Sequence, residues 1–327
     1  MLGCAALLPL PDRALTAGVL SCGGRSILLD CGEGTQTAAR RAGVSLMKTD
    51  LIALTHYHGD HIFGLSGLFQ TMSVLGRQEP LTLTGPQGLE RELAQIFSLA
   101  KELNFPVRLM TMPMEGLRLT DLHPAWPREA VLSCFSTDHR VASQGYCFTL
   151  GRCGKFLVQK ARELEIPQAL WSKLQQNIPV EVNGRAILPR EVLGPARKGL
   201  KVVYSGDTRA CDALLQAARD ADLLVCEATY ADPNRAALAL ERGHMTFEEA
   251  VHLGAAAGAK RLWLTHFSQT VVNPETSLAD SGLLALCPQA VCARDGMAVS
   301  LGFESEAELN QPEINSKKFT LDKRMES

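Results

Sequence analysis

Short apolar runs that stop at a polar residue recur along this chain. Residues 19–22 and 26–29 flank Gly23-Gly24-Arg25, and paired glycines accept the positive φ of a tight turn, which predicts a hairpin whose second arm ends at Asp30. Residues 50–54 read as a buried strand running into Thr55-His56, residues 131–135 run into Asp138-His139, and residues 201–204 into Ser205-Gly206-Asp207. Residues 223–225 lead to Glu227 and residues 261–264 to Thr265-His266. Strands packed side by side align their ends along one rim, so these distant polar residues are predicted to meet there. Between the strands lie amphipathic stretches of helical length at 88–103, 210–221, 246–257 and 274–286, with further helical potential at 62–69. Thr246-Phe247-Glu248-Glu249 has the form of a capping box at a helix start. Residues 1–9 read as a first buried strand and turn. Mixed strands and helices in this order predict a layered α/β architecture.

The pattern breaks over residues 152–199, where Gly154, Pro167, Gly184, Pro189, Gly194 and Pro195 interrupt two short helix-like pieces, one ending near Glu163 and one around Trp171. The segment reads as an inserted arm in which lysine and arginine outnumber the acids, with Trp171 as an apolar anchor inside it rather than a platform for a base. The main domain is then expected over 1–303, and the polar, aperiodic tail of 304–327 is expected to be disordered. The 327 residues, 46% hydrophobic and 21% charged, are ordinary for a globular protein, and no apolar run is long enough to span a bilayer. A formal charge of −2 excludes a generally basic nucleic-acid coat, so a polyanionic partner would need a local patch or bound cations. Ten scattered cysteines without a Cys-x-x-Cys pair are expected to be buried, reduced thiols of a cytoplasmic protein.

The densest chemistry is Thr55-His56-Tyr57-His58-Gly59-Asp60-His61. Three imidazoles and a carboxylate on the turn after an apolar strand are hard to account for by packing, because buried polar groups need partners; a metal supplies one. Gly59 is expected to let that turn tighten. His123 and His252 carry no comparable context and are read as non-catalytic.

His-x-His-x-Asp-His at a strand end resembles the signature of the metallo-β-lactamase superfamily, which implies a four-layer αββα sandwich with one or two metals at its rim. Longer strings narrow the likeness. Asp30-Cys31-Gly32-Glu33-Gly34-Thr35-Gln36, His58-Gly59-Asp60-His61 with Phe63-Gly64-Leu65, Thr265-His266-Phe267-Ser268-Gln269 and Ala293-Arg294-Asp295-Gly296-Met297 together resemble the ribonuclease Z family of tRNA 3′-end-processing endonucleases. The resemblance implies that His56, His58 and His139 hold one metal and that Asp60, His61 and His266 hold a second, with Asp207 bridging them. Asp30 would orient a ligand imidazole. Such ligands suit two zinc ions per subunit ahead of manganese or iron. The implied reaction is metal-assisted hydrolysis of a phosphodiester, in which Asp60 accepts a proton and His244, oriented by Glu227, protonates the departing 3′-oxygen. The implied partners are precursor tRNA rather than DNA or a membrane, and a second subunit in a homodimer.

The chain departs from the family pattern at Cys226 and Met245, beside Glu227 and His244, and at Thr270-Val271. It departs again in the arm, where Gln168-Ala169-Leu170-Trp171 replaces a Gly-Pro tip. Phosphate attraction there is expected to rest on Lys155, Lys160, Arg162 and Lys173. Two other readings share parts of this pattern: another hydrolase of the same fold, acting on cyclic nucleotides or thioesters, and a metal- or RNA-binding protein without catalysis.

Overall fold

Alternation of inward- and outward-facing residues builds two sheets that pack face to face. The computed structural model describes residues 1–99 and 103–303; the tail expected to be disordered lies outside the described residues. The first sheet comprises β1 (Gly18–Cys22), β2 (Arg25–Leu29), β3 (Thr49–Ala53), β4 (Leu81–Thr84) and β5 (Val107–Met110), in the order β1-β2-β3-β4-β5. β1 and β2 form the antiparallel hairpin, closed through Gly23 and Gly24 at φ +62° and +78°, and the remaining pairs are parallel. The second sheet draws on β6 (Leu117–Arg118), β7 (Ala130–Ser136), β8 (Gln144–Arg152), β11 (Arg197–Tyr204), β12 (Leu223–Glu227), β13 (Leu262–Thr265) and β14 (Ala290–Cys292). Its order is β14-β13-β12-β11-β8-β7-β6, and β11 to β14 run parallel. The intervening β9 (Val180–Val182) and β10 (Arg185–Ile187) make a separate two-stranded hairpin.

Period-two alternation decides which layer each side chain joins. Ile27, Leu29, Leu51 and Ala53 enter the core shared with Leu132, Tyr146, Phe148, Tyr204 and Val225 of the second sheet. Leu28, Ile52, Leu81 and Leu83 face the other way and pack with Ala38, Leu65, Leu68, Phe69 and Leu93 of helices Thr35–Arg41, Leu65–Val74 and Leu89–Leu99. Leu214, Phe247, Val251 and Leu278, from helices Asp212–Ala218, Phe247–Ala256 and Pro274–Asp280, cover the outer face of the second sheet. The result is the four-layer αββα sandwich. No helix among the described residues is long and apolar enough to cross a membrane.

Two local expectations change. Residues 1–9 form no strand of their own; they are largely buried and make isolated bridges, Gly3 to Ala17 and Ala5 to Leu15 and Phe267. Gly59 does not need unusual dihedrals: it opens the short helix Gly59–Ile62, and a β-carbon there would lie 2.3 Å from the Phe63 ring.

Within residues 152–199, helices Val158–Glu163 and Trp171–Gln175 and the β9–β10 hairpin enclose a small cluster of Ala161, Ile166, Leu174, Val180, Ile187 and Val192. Trp171 packs on Phe156 at 5.3 Å and donates its indole N–H to the Ile166 carbonyl at 2.9 Å, so it is committed to the segment's interior. The ends of the segment cross at Gly154 and Gly194, too close for a side chain on Gly154.

Candidate active site

β2, β3, β7, β11, β12 and β13 all end on one rim, and the polar residues that follow them converge. His56, His58, His139 and Asp207 each direct a ligand atom into a space where these atoms lie within 4.8 Å of one another; Asp60, His61 and His266 do the same beside it. Asp207 joins the two groups: its carboxylate lies 3.6 Å from His56 Nε2, 3.3 Å from His61 Nε2 and 3.2 Å from His266 Nε2. The Asp60 carboxylate is 3.4 Å from His266 Nε2 and 3.7 Å from His61 Nε2. His123 stands apart from this site with Glu79, and the His252 Nδ1 bonds its own helix at the Glu248 carbonyl.

Hydrogen bonds behind the imidazoles set which nitrogen faces inward. His61 Nδ1 donates to Asp30 at 2.9 Å, and His139 Nδ1 donates to the Gly243 carbonyl at 2.8 Å. The Thr55 hydroxyl donates to Asp30 and therefore accepts from His56 Nδ1 at 3.1 Å. The Thr229 hydroxyl donates to Glu227 at 2.8 Å and accepts from His266 Nδ1 at 3.0 Å. In each ring the proton sits on Nδ1, so four Nε2 lone pairs point toward one another and toward two carboxylates. His56 Nε2 and His58 Nδ1 approach to 2.9 Å, and His61 Nε2 and His266 Nε2 to 3.3 Å. Ring nitrogens gathered this closely around two buried carboxylates leave room for cations between them, and an all-imidazole and carboxylate donor set fits divalent metal ions.

The electrostatics show how strongly these groups act on one another. Burial alone would raise the Asp207 carboxyl, but the imidazoles of His266, His61 and His56 outweigh it and hold the group well below the carboxylate range. Burial likewise opposes ionisation of Asp60, and His266 and His61 reverse it. His61 is pushed down by burial and well up, on balance, by Asp207 and Asp30. His56, with more imidazole than carboxylate around it, is driven down by burial and by His61.

At the edge of the cluster, His244 Nδ1 donates to Glu227 Oε1 at 2.9 Å. Burial lowers the His244 pKa, but the Glu227 charge and hydrogen bond outweigh it and lift the value to about 9. The ring lies 5.1 Å from that of His139 and 5.3 Å from that of His266, so an imidazole whose charged form Glu227 favours stands beside the candidate metal ligands.

Several participants have no signature in the sequence: the hydroxyls of Thr55 and Thr229, the Gly243 carbonyl, the Tyr204 hydroxyl on Asp30 at 3.1 Å, and the Leu7 N–H on Asp60 at 2.8 Å. Thr55 and Thr229 are signalled only by their adjacency to the histidine string and to Glu227. Lys155, Lys160, Arg162 and Lys173 lie on the 152–199 segment, exposed, and are not part of the cluster.

The comparisons with known proteins agree with this architecture. A family profile described as a beta-lactamase superfamily domain matches residues 188–267, and one described as the anti-Pycsar protein Apyc1 matches residues 12–151. A ribonuclease Z of Lachnoclostridium phytofermentans is 38% identical over 306 residues, covering 93% of this chain and 97% of its own. This chain belongs to the ribonuclease Z family. A second ribonuclease Z, from Agathobacter rectalis, is 39% identical over 308 residues, covering 94% of this chain and 98% of that protein. Among solved structures, the short form of human tRNase Z superposes with a TM-score of 0.64 at 27% identity, over 92% of this chain and 98% of the human one. The strings that carry the family resemblance, Asp30 to Gln36 and Thr265 to Gln269, are the ones that close the rim of this ribonuclease Z family member.

Proposed function

We propose that the protein is a metal-dependent endoribonuclease that removes 3′ trailers from precursor tRNA and leaves a 3′-hydroxyl, and that it holds two zinc ions per subunit. The observation that carries this reading is the convergence of the Nε2 lone pairs on Asp60 and Asp207 in a chain of the ribonuclease Z family. His56, His58 and His139 would hold one ion, Asp60, His61 and His266 the other, and Asp207 both, while Asp30 fixes the ring of His61. Ions bound there supply Lewis acidity and positive charge for hydrolysis of a phosphodiester. The carboxylate of Asp60, held by the Leu7 N–H, takes the proton of the attacking water. His244, kept charged by Glu227, gives its Nε2 proton to the departing 3′-oxygen. The exposed Lys155, Lys160, Arg162 and Lys173 place positive charge where a tRNA backbone could be held away from the cut. That placement suits a homodimer in which each subunit's arm presents tRNA to its partner. Ten cysteines with no disulfide support a reducing, cytoplasmic setting.

The test is incubation of the purified protein with precursor tRNA, with zinc and with a chelator in excess. Metal-dependent cleavage on the 3′ side of the discriminator base is the expected result. Asp60→Ala is expected to fold and to lose cleavage by roughly two or more orders of magnitude. Hydrolysis of small diesters without cleavage of tRNA would refute the substrate, and binding without cleavage would refute the chemistry.

A further inference from the structure

Arg209 stands outside every candidate ligand set, yet it ties together the three loops on which the site depends. Its backbone lies two residues beyond Asp207 and pairs with the segment before His139: Arg209 N–H donates to the Asp138 carbonyl at 2.8 Å, and the Asp138 N–H donates to the Thr208 hydroxyl at 3.0 Å. Its side chain crosses to the turn that carries His244. Nη1 donates to the His244 carbonyl at 2.9 Å, and Nη2 pairs with Glu249 Oε1 at 2.7 Å. Glu249 uses its other oxygen to cap that same turn, accepting from Thr246 N at 2.8 Å. The guanidinium therefore holds the turn at both ends, His244 and Thr246, and it is mostly buried while doing so. Lysine could not reproduce this, because a single ammonium lacks the planar fork that reaches a carbonyl and a carboxylate together.

We propose that Arg209 is a positioning residue for the proton donor. It fixes the imidazole of His244 relative to the loops of Asp207 and His139, so that Nε2 meets the leaving oxygen. The proposal rests on the reading of His244 as the acid. In the step concerned, a water oxygen bonds to phosphorus as its proton passes to the Asp60 carboxylate, the bond from phosphorus to O3′ breaks, and the proton on His244 Nε2 passes to O3′.

The experiment compares two precursor tRNAs, one natural and one with sulfur in place of O3′ at the cut, assayed with zinc-loaded wild type, Arg209→Ala and His244→Asn. A 3′-thiolate leaves without protonation, so a defect confined to proton donation disappears on that substrate, whereas a general structural defect slows both. Arg209→Ala is expected to cut the natural substrate roughly 10–100-fold more slowly, within the span that a positioned acid supplies. It is expected to stay within about threefold of wild type on the sulfur substrate. Equal slowing on both, with His244→Asn rescued by sulfur, would overturn the role of Arg209 and leave that of His244 intact. Equal slowing of His244→Asn would overturn both. If Arg209→Ala fails to fold, Glu249→Gln removes the ion pair alone and must show the same selective defect in milder form; equal slowing there overturns the proposal as well.

Discussion

Replacing Glu227 by glutamine tests the site at its most connected point. The carboxylate is buried and accepts five hydrogen bonds: Thr208 N at 2.8 Å and His244 Nδ1 at 2.9 Å on Oε1, with the Thr229 hydroxyl at 2.8 Å, Met245 N at 3.1 Å and Thr229 N at 3.3 Å on Oε2. All five are donors, and an amide offers only one oxygen. With its nitrogen on the Oε2 side, the substituted amide would oppose two backbone N–H groups that cannot turn away. With its nitrogen on the Oε1 side it opposes only Thr208 N–H, because the imidazole of His244 can release its Nδ1 proton and accept instead. The second arrangement costs one unsatisfied buried donor, about 1–3 kcal/mol, which corresponds to a fall in melting temperature of roughly 2–5 °C for a domain of this size. It also leaves His244 neutral. Glu227 is what lifts that imidazole to about 9 against its burial, so wild-type His244 keeps its proton until the pH rises through that value. In Glu227→Gln the proton is lost at lower pH. The expected outcome is a folded protein whose cleavage of precursor tRNA falls by about 10²–10⁴-fold at pH 8 and whose alkaline limb of activity moves down in pH. Differential scanning fluorimetry and single-turnover cleavage across pH measure both effects. A variant with wild-type turnover and an unmoved alkaline limb would refute the assignment of His244 and Glu227.

Three other outcomes follow from the same structure. Gly243 has φ +73°, and a β-carbon there would lie 2.9 Å from His139 Nδ1; Gly243→Ala is expected to cost about 1–2 kcal/mol from the backbone alone and to weaken zinc binding, read by competition with a chromogenic chelator. Affinity equal to wild type would show that the Gly243 carbonyl does not orient His139. Buried Asp50 accepts from the Arg25 guanidinium and, at 2.7 Å, from Trp126 Nε1. Asp50→Ala strands both donors while Arg25 keeps Glu79, and is expected to destabilise by about 3–5 kcal/mol in urea titration; a change under about 1 kcal/mol would refute the pairing. Combined Lys160→Ala, Arg162→Ala and Lys173→Ala should lower the salt-dependence slope of tRNA binding by about 0.7–0.9 for each phosphate no longer neutralised, and spare hydrolysis of a small diester; an unchanged slope removes the arm from substrate binding.

What is legible in the sequence follows the same division between strand ends and their supports. β2, β3, β7, β11, β12 and β13 are predictable because each is an apolar run that stops at a polar residue, the pattern that a shared rim imposes. β4, β5, β8 and β14 are not. Leu81–Thr84 alternates leucine with threonine instead of forming an apolar run, Ala290–Cys292 is only three residues long, Gln144–Arg152 carries two glycines, and Arg108 interrupts Val107–Met110. Helices Thr35–Arg41 and Ala236–Arg242 escape a sequence reading because their buried faces consist of threonine and alanine in one and a single alanine in the other, too little for a periodic signal. In the site, side chains with intrinsic chemistry stand out by type and spacing. Their orienting partners do not, since a hydroxyl such as Thr229 or a carbonyl such as Gly243 becomes meaningful only once the fold brings an imidazole to it.

Backbone strain explains why so many of those supports are needed. Asp30 and His266 both end a strand in the left-handed region, at φ +56° and +62°, which costs a residue with a β-carbon roughly 1–2 kcal/mol. Neither conformation persists unless its surroundings hold it. Asp30 is held by Thr55 N at 2.8 Å, the Thr55 hydroxyl, Tyr204 and His61. His266 is held from behind by Thr229, and the residue after it is fixed on both sides by the buried N-terminal segment: Phe267 N–H donates to the Cys4 carbonyl at 2.8 Å, and Ala6 N–H donates to the Phe267 carbonyl at 3.0 Å. The first residues of the chain therefore do not extend a sheet because their hydrogen bonds are spent bracing the strained backbone around His266. Leu7, itself at φ +64°, continues the brace to Asp60. Residues 3–7 and the turn after β13 act as one unit, so loosening the N-terminal segment should disturb His266 and Asp60 before it disturbs the sheets.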